Sequence, residues 1–233
     1  MKPIEALKGS RDSLKILKSQ EDYAMLRPGL TCFVGVSGSG KSNLIANLLS
    51  RKDMLKGYFE EIYLICPSPS DIIMRHVNIP EKKYYDDLDE ATELIKVLYN
   101  RNKNIPFAKA PNTLIIIDDS AHFQKFMKSK LMKKIAFSGT HVKLSTWICA
   151  QSLMRIDRDM RLNCHQIVIF HGTNHGEIER LMRDLPGNPR PYKEMLNIIK
   201  DLIKDKYAFI AIFNCNPDKT KNIVKNFQTR ILL

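Results

Sequence analysis

The residues GVSGSGKS, numbered 35–42, constrain the fold more than any other part of this chain. They fit the pattern G-x-x-x-x-G-K-[ST] at every position, and the glycines allow backbone N–H groups to face a phosphate. The apolar, partly β-branched run LTCFV at 30–34 predicts a buried strand before the loop, and NLIANLL at 43–49 predicts a helix after it. A helix N-terminus favours negative charge, so this order predicts a loop that binds nucleotide phosphates.

Two residues of the loop have chemical roles of their own. Lys41 is expected to act in catalysis by reaching the β- and γ-phosphates of a nucleoside triphosphate, and the Ser42 hydroxyl is expected to coordinate Mg²⁺. The expected phosphate-binding residues are Gly35, Ser37, Gly38, Ser39, Gly40, Lys41 and Ser42. A flexible glycine–serine turn is the alternative, but the strand and helix on either side favour the nucleotide site.

A second motif lies downstream, where the apolar run at 114–117 ends in Asp118 and Asp119. An acid at the end of such a strand holds the metal in this kind of site, so Asp118 is expected to be an outer ligand of Mg²⁺. Asp119 is expected to be the general base that polarises the attacking water. Strands also end in aspartate at ordinary turns. The combination with residues 35–42 is what favours the catalytic interpretation.

A third polar position follows the run STWICA at 145–150, which leads into Gln151 and Ser152. Ligands bind at the carboxyl ends of strands in open α/β sheets, so Gln151 is expected to contact the γ-phosphate and the attacking water. A polar strand end without such a role is the alternative. The guanine-reading pattern Asn-Lys-x-Asp is absent from the sequence, which favours ATP as the nucleotide.

Predicted strands and helices alternate along the chain, and each strand is apolar almost from end to end. This is typical of a mostly parallel sheet with helices on both faces. The other strands are predicted at 61–66, 113–117, 144–150, 166–170 and 207–213, the other helices at 88–99, 121–137, 176–184 and 191–204, and a loop with short turns at 68–86. We expect an α/β fold with a basic N-terminal extension (1–28), a P-loop ATPase domain (29–216) and a basic C-terminal tail (217–233).

The formal net charge of +12 over 233 residues points to an anionic partner. Nucleotide binding alone does not need this excess, which favours nucleic acid over a purely small-molecule substrate. The predicted helix after the acids contains five lysines and repeats apolar residues at Phe123, Met127, Leu131 and Ile135. Its basic face suits DNA phosphates, although an ordinary solvated lysine face is the alternative.

The cysteines and the hydropathy give expectations about the environment of the protein. The five cysteines are Cys32, Cys66, Cys149, Cys164 and Cys215. They lie mostly in apolar strand-like runs without ligand spacing, and we expect buried thiols in a reducing compartment. No run reaches the roughly 20 apolar residues that span a bilayer. We therefore expect a soluble protein without a membrane-spanning segment.

The motifs together resemble those of the poxvirus-type genome-packaging ATPases of the FtsK–HerA superfamily. The residues that carry the resemblance are GVSGSGKS at 35–42, LIIIDDS at 114–120, GTHVKLSTWICAQS at 139–152 and RLN at 161–163. The resemblance covers roughly residues 30–171. It implies a RecA/FtsK–HerA-like fold and a ring-forming motor that uses ATP and Mg²⁺ to pump double-stranded DNA into a preformed capsid.

One departure from that family pattern concerns catalysis between subunits. Family members commonly carry an arginine directly after the glycine that matches Gly139, and this chain has Thr140 there. Arg161, which matches the arginine of RLN, is the leading candidate to supply the charge, with Arg155 and Arg158 close to it in sequence. The chain has room for one ATPase lobe, so a neighbouring subunit is expected to complete each site with an arginine in trans.

The sequence therefore predicts an ATP-driven DNA translocase in a homo-oligomeric ring, with five or six subunits, double-stranded DNA and a capsid protein as expected partners. The expected location is the host-cell cytoplasm or viral factory, or the virion. Two alternatives stay open. A nucleotide or small-molecule kinase would transfer phosphate to a nucleoside monophosphate. A nucleotide-switched binding protein would turn over slowly and ignore DNA.

Overall fold

A computed structural model gives the structure of the protein and describes residues 29–68, 71–118, 124–185, 190–214, 222–227 and 229–231. The strands are β1 (Leu30–Val34), β2 (Glu61–Ile65), β3 (Tyr84–Tyr85), β4 (Thr113–Ile117), β5 (Leu144–Ala150), β6 (Gln166–Phe170), β7 (Phe209–Phe213), β8 (Ile223–Lys225) and β9 (Thr229–Ile231). The helices are α1 (Lys41–Ser50), α2 (Asp71–Val77), α3 (Leu88–Lys103), α4 (Gln124–Met127), α5 (Lys130–Ser138), α6 (Arg158–Leu162), α7 (His175–Asp184) and α8 (Tyr192–Leu202).

All of these strands join one sheet in the order β3-β2-β4-β5-β1-β6-β7-β8-β9. The ladders from β3 to β6 are parallel, and β7, β8 and β9 add on in antiparallel pairing. The predicted mostly parallel sheet is therefore confirmed. Val34 of β1 pairs with Ala150 of β5, and Ile117 of β4 pairs with Ile148, which lies two residues before Ala150. The carboxyl ends of β1, β4 and β5 consequently meet at one edge of the sheet.

The sheet is buried on both faces, which is why its central strands are mostly apolar. On one face it packs against α3, α5, α7 and α8, whose buried residues include Ile95, Ile135, Ile178 and Ile199. On the other face it packs against α1 and α2, which contribute Leu44, Ile45 and Ile73. The Trp147 ring lies in this second layer, 5.4 Å from the Phe33 ring centroid and 5.8 Å from that of Phe59.

The structure differs from the sequence-based prediction in two helical regions. Residues 68–86, predicted as a loop, contain helix α2 and the short strand β3. The helix predicted over 121–137 consists of two helices where it is described, because the Ser129 hydroxyl accepts a hydrogen bond from Met132 N (3.2 Å) and caps α5. The first residues of that predicted helix lie outside the described residues.

The sheet also continues into the predicted C-terminal tail. Ile223 and Val224 of β8 are buried, and β8 pairs with β7 on one side and β9 on the other. Within the range predicted as a tail, β8 and β9 thus extend the edge of the sheet, and the consecutive residues Ile223 and Val224 pack on its opposite faces. The predicted extension at 1–28 lies outside the described residues. No helix of the described part is long and apolar enough to cross a membrane.

The predicted burial of the cysteines is confirmed for Cys32, Cys66, Cys149 and Cys164, none of which forms a disulfide with another described cysteine. Cys215 lies outside the described residues. The Sγ atoms of Cys32 on β1 and Cys164 before β6 lie 3.0 Å apart. Burial raises the pKa of the Cys164 thiol well above its ordinary value, and the adjacent Cys32 thiol adds to this. The Cys164 thiol therefore stays protonated, and both thiols pack as small apolar groups.

A polar network ties the amino-terminal ends of β2 and β4 to the end of α3. The Arg101 guanidinium donates to both carboxylate oxygens of Glu61 (3.0 and 2.6 Å), and the Thr113 hydroxyl donates to the same carboxylate (3.2 Å). The Asn102 side chain donates to the Val142 carbonyl (2.9 Å) before β5. Burial acts to raise the pKa of Glu61, but the hydrogen bonds and charge of Arg101 outweigh it and hold the pKa below 4.5.

Because this pKa is lowered by folding, the ion pair is expected to stabilise the protein at neutral pH and to lose that effect in acid. Glu61→Gln should lower the free energy of unfolding by about 1 kcal/mol at pH 7. The difference from wild type should shrink as the pH falls below 4.5 and through the lower pKa of the folded state. Urea titrations of both proteins between pH 7 and pH 3 measure this. A difference independent of pH would contradict the role of the Glu61 charge.

Candidate nucleotide-binding site

The glycine-rich loop lies between β1 and α1, as its sequence predicts. Gly40 is the N-cap of α1 with φ 104°, a left-handed conformation that residues with a Cβ rarely adopt. Gly35 is required for a different reason: a Cβ there would lie 2.6 Å from Ser39 Oγ and 2.7 Å from Phe170 Cβ. Ser39 Oγ is buried and has no hydrogen-bond partner among the described residues. The loop is therefore a compact, polar turn at a helix N-terminus, which suits an anion.

Lys41 and Ser42 begin α1 and project to the same side of the loop. The Lys41 ammonium donates to the carbonyl oxygens of Gly35 (2.7 Å) and Val36 (3.0 Å), so its charge lies over the loop's own backbone. The Ser42 hydroxyl donates to Asp118 Oδ2 (3.2 Å) across to the end of β4. A hydroxyl and a carboxylate oxygen at this separation are ligands that Mg²⁺ prefers, so the pair fits the ion that the sequence implies.

The end of β4 is held rigidly. Asp118 N donates to the Ile65 carbonyl (2.9 Å), which extends the ladder between β4 and β2 by one bond. The Asp118 side chain is only 8% exposed. Cys149 of β5 is fully buried, which raises its pKa well above the ordinary value, and the Asp118 carboxylate adds to this. Asp119, the predicted general base, lies outside the described residues.

A cavity of about 620 Å³ opens at this edge of the sheet, a volume typical of small-ligand sites. Of the predicted residues, it brings together Ser37, Gly38, Gly40, Lys41, Ser42, Asp118 and Gln151. Gly35 and Ser39 shape the loop from behind. Sequence reasoning missed Phe170, Tyr207 and Phe209, which also line the cavity, because apolar and aromatic residues around a strand give no signal that separates a cavity wall from a core.

Glu177, in the first turn of α7, is a further residue that the sequence did not reveal. Its carboxylate accepts hydrogen bonds from the Ser152 hydroxyl and from Leu153 N, the latter at 3.0 Å. These contacts fix the chain immediately after Gln151. Glu177 therefore positions the segment that carries the predicted γ-phosphate contact. An acid in the first turn of a helix is common, so only the tertiary contact distinguishes it.

Arg161 lies in the interior of its own chain. Its guanidinium is buried and donates to the carbonyl oxygens of Leu153 (3.2 Å) and Ile156 (2.5 Å), and it pairs with Asp184 (3.4 Å). These contacts hold the segment that follows β5 against helix α6. The role of Arg161 toward another subunit stays a prediction, and its position gives it a structural task. Arg155 in the same segment is half-exposed.

The order of the strands identifies the class. Strand β5 lies between β4 and β1, so Gln151 follows the strand that separates Asp118 from the phosphate loop. The glycine-rich loop, the acid that follows β4 and the strand between them define a P-loop nucleoside triphosphatase with an added central strand. Within that class the chain belongs to the family described as Poxvirus A32 protein, whose model matches residues 23–225.

Solved structures show the same fold at low sequence identity. The genome packaging NTPase B204 from Sulfolobus turreted icosahedral virus 2, in complex with ATP-γS, is 16% identical with a TM-score of 0.60, over 88% of this chain and 98% of that chain. The pCW3 conjugation coupling protein TcpA with ATPγS is 13% identical with a TM-score of 0.53, over 89% and 61% of the two chains. EssC (ATPases 2 and 3) from Geobacillus thermodenitrificans is 16% identical with a TM-score of 0.53, over 72% and 36%. No curated protein matches the chain.

Proposed function

We propose that this protein is an ATP-driven translocase of double-stranded DNA that packages a viral genome as a homo-oligomeric ring. The single observation that carries the proposal is the Ser42–Asp118 pair beside Lys41 and Gln151, a hydrolytic site at the edge of the sheet. Family membership supports it, as does the fold shared with a genome packaging NTPase and a conjugation coupling protein. A capsid protein as partner, and the cytoplasm or viral factory as location, belong to the same proposal.

The residues divide the chemistry between them. The backbone of the loop and Lys41 bind the β- and γ-phosphates and compensate charge that develops on them. Mg²⁺ held by Ser42 and Asp118 would supply further positive charge to the phosphate oxygens. Gln151 orients a water in line with the γ-phosphorus, and Asp119 accepts its proton as the new P–O bond forms and ADP leaves. Glu177 keeps Gln151 in position through Ser152 and Leu153.

No arginine among the described residues lines this cavity. Lys41 is the one basic side chain among the described residues that line the cavity. A neighbouring subunit in a ring would bring a second positive charge to the γ-phosphate. Arg155 suits this role better than Arg161, because Arg155 is half-exposed and Arg161 is engaged inside its own chain.

DNA contacts are assigned to the lysines of α4, α5 and the turn between them. Lys125, Lys128 and Lys130 are exposed. The other two lysines of this stretch have partners in the chain: Lys133 pairs with Asp157 (3.2 Å), and the Lys134 ammonium lies 4.4 Å from the Tyr99 ring centroid. Lys134 is also exposed, but its ammonium is engaged with the Tyr99 ring, so Lys125, Lys128 and Lys130 are the lysines proposed to neutralise phosphates without reading sequence.

ATP hydrolysis with and without double-stranded DNA tests the proposed function. We expect DNA to stimulate the wild type, and Lys125→Ala/Lys128→Ala/Lys130→Ala to lose most of the stimulation while keeping the DNA-free rate. The plot of the logarithm of the DNA-binding constant against the logarithm of the salt concentration should also become less steep. Its slope should fall by about one unit for each lysine that no longer neutralises a phosphate.

The matched control for that experiment is Lys52→Ala/Lys56→Ala/Lys193→Ala. It removes the same charge from exposed positions outside α4 and α5, and it should be stimulated like the wild type. A wild-type rate that DNA leaves unchanged would contradict translocation. An equal loss of stimulation in both triple variants would mean that net charge, and not the position of these three lysines, determines the effect of DNA.

A further inference from the structure

Tyr207 has an unusual backbone and an unusual exposure for an aromatic residue. Its φ is 66°, in the left-handed region, and its side chain is 57% exposed. A non-glycine residue in this region costs free energy and persists only where its surroundings hold it. Ala208 N donates to the Asp205 carbonyl (3.0 Å), and the Ala208 carbonyl accepts from His171 N (2.8 Å). The turn is thus anchored to the end of β6, and the ring is kept at the surface.

The ring of Tyr207 borders the phosphate loop. Its Cδ1 atom lies 3.7 Å from the point that a Cβ on Gly40 would occupy, so only a glycine separates the ring from the start of α1. Phe170 and Phe209 lie beside it along the same cavity, buried, with ring centroids 5.3 Å apart. Lys206 Nζ lies 5.0 Å from the Tyr207 ring centroid. An aromatic wall therefore extends the cavity beyond the phosphate-binding residues.

The order of the strands decides which part of a nucleotide meets this wall. Asp118 and Gln151 follow β4 and β5, on one side of β1, and define the γ-phosphate end. Phe170 ends β6 and Tyr207 precedes β7, on the opposite side of β1. A triphosphate bound across the loop therefore directs its nucleoside toward β6 and β7, away from Asp118.

We infer that Tyr207 is the stacking platform for the base of the bound nucleotide, with Phe170 and Phe209 as the apolar floor beneath it. The inference rests on the proposed nucleotide hydrolysis at the adjacent loop. Base–aromatic stacking uses the π-face that every base has, so this contact adds affinity for ATP and GTP alike. Selection between the two must then come from other groups. The strained backbone of Tyr207 keeps the ring ready for the base before the nucleotide arrives.

Two substitutions separate the ring from the turn that carries it. Tyr207→Gly removes the ring and accepts the positive φ without strain, so the turn is retained. Tyr207→Phe keeps the ring. Phe107→Ala is the matched control, because Phe107 is also exposed (54%) and also lies under a lysine, with Lys143 Nζ 5.2 Å from its centroid, yet it does not line the cavity.

Calorimetric titration with ATP, GTP and inorganic tripolyphosphate gives the readout. Tyr207→Gly should bind ATP and GTP about tenfold more weakly, within the range measured for stacked bases. Tyr207→Phe and Phe107→Ala should stay close to wild type. Tripolyphosphate has no base, so all four proteins should bind it equally.

Three results would overturn the inference: Tyr207→Gly binding ATP like the wild type, an equal loss for ATP and tripolyphosphate, or a loss confined to Ile72→Ala. Ile72 is 43% exposed, lines the cavity and follows β2, which lies across β1 from β6 and β7, so that last result would place the base there. The proposed function fails separately. Tyr207→Gly could bind ATP tenfold more weakly while DNA leaves the wild-type rate of ATP hydrolysis unchanged. That combination would support the stacking platform and contradict the translocase.

Discussion

Lys41→Ala is expected to lower the rate of ATP hydrolysis by about 10²- to 10³-fold. The Lys41 ammonium lies over the carbonyl oxygens of Gly35 and Val36, at the centre of the phosphate loop. It is the one basic side chain among the described residues that line the cavity. Alanine removes this charge from the position where negative charge develops on the β- and γ-phosphates, and no nearby group of the described chain replaces it.

The rate of phosphate release, measured at saturating ATP, gives the comparison with wild type. Lys52→Ala is the control, because Lys52 is exposed in the turn after α1 and loses the same charge without touching the cavity. It should hydrolyse ATP at the wild-type rate. Both variants should unfold in urea like the wild type, since Lys41 contributes no apolar burial to the core. A Lys41→Ala enzyme with near-normal turnover would remove the loop from the mechanism.

The central strands were the most predictable part of the fold. The predicted bounds of β1, β4, β5 and β6 coincide with the observed ones, because strands buried on both faces are mostly apolar and are followed here by glycine or a polar residue. Helix α2 and strand β3 were missed since both are short and partly polar. The break between α4 and α5 depends on the Ser129 cap, which a regular spacing of apolar residues does not reveal.

The residues of the site also divide into those that the sequence predicts and those that it does not reveal. Lys41, Ser42 and Asp118 belong to contiguous motifs whose chemistry dictates their residue types, and the structure brings them together. Glu177 and Tyr207 act through contacts between segments far apart in sequence. The outcome for Arg161 is the reverse. Its place in a motif suggested a charge supplied to a neighbouring subunit. The three groups that accept its hydrogen bonds belong to Leu153, Ile156 and Asp184 and lie inside its own chain.

Variants of Arg155 and Arg161 are expected to fail in different ways. Arg161→Ala should lower the free energy of unfolding by about 2 kcal/mol, because it removes the donor to the buried Ile156 carbonyl and one of the two donors to the Leu153 carbonyl and to Asp184, which keeps Arg158. Arg155→Ala should leave stability unchanged and lower ATP hydrolysis of the assembled ring by about 10³-fold, the effect of losing an arginine supplied in trans. Urea unfolding and phosphate release, measured on both variants, distinguish stability from catalysis.

Mixing subunits tests whether the arginine acts on a neighbour. Arg155→Ala subunits retain an intact Lys41, and Lys41→Ala subunits retain an intact Arg155, so each variant alone should be nearly inactive. In a random one-to-one mixture about a quarter of the interfaces pair an intact loop with an intact arginine, and hydrolysis should recover there. Arg161→Ala, mixed in the same way, should recover little, because its defect lies within the subunit that carries it. Recovery by Arg161→Ala but not by Arg155→Ala would restore Arg161 as the residue that crosses the interface.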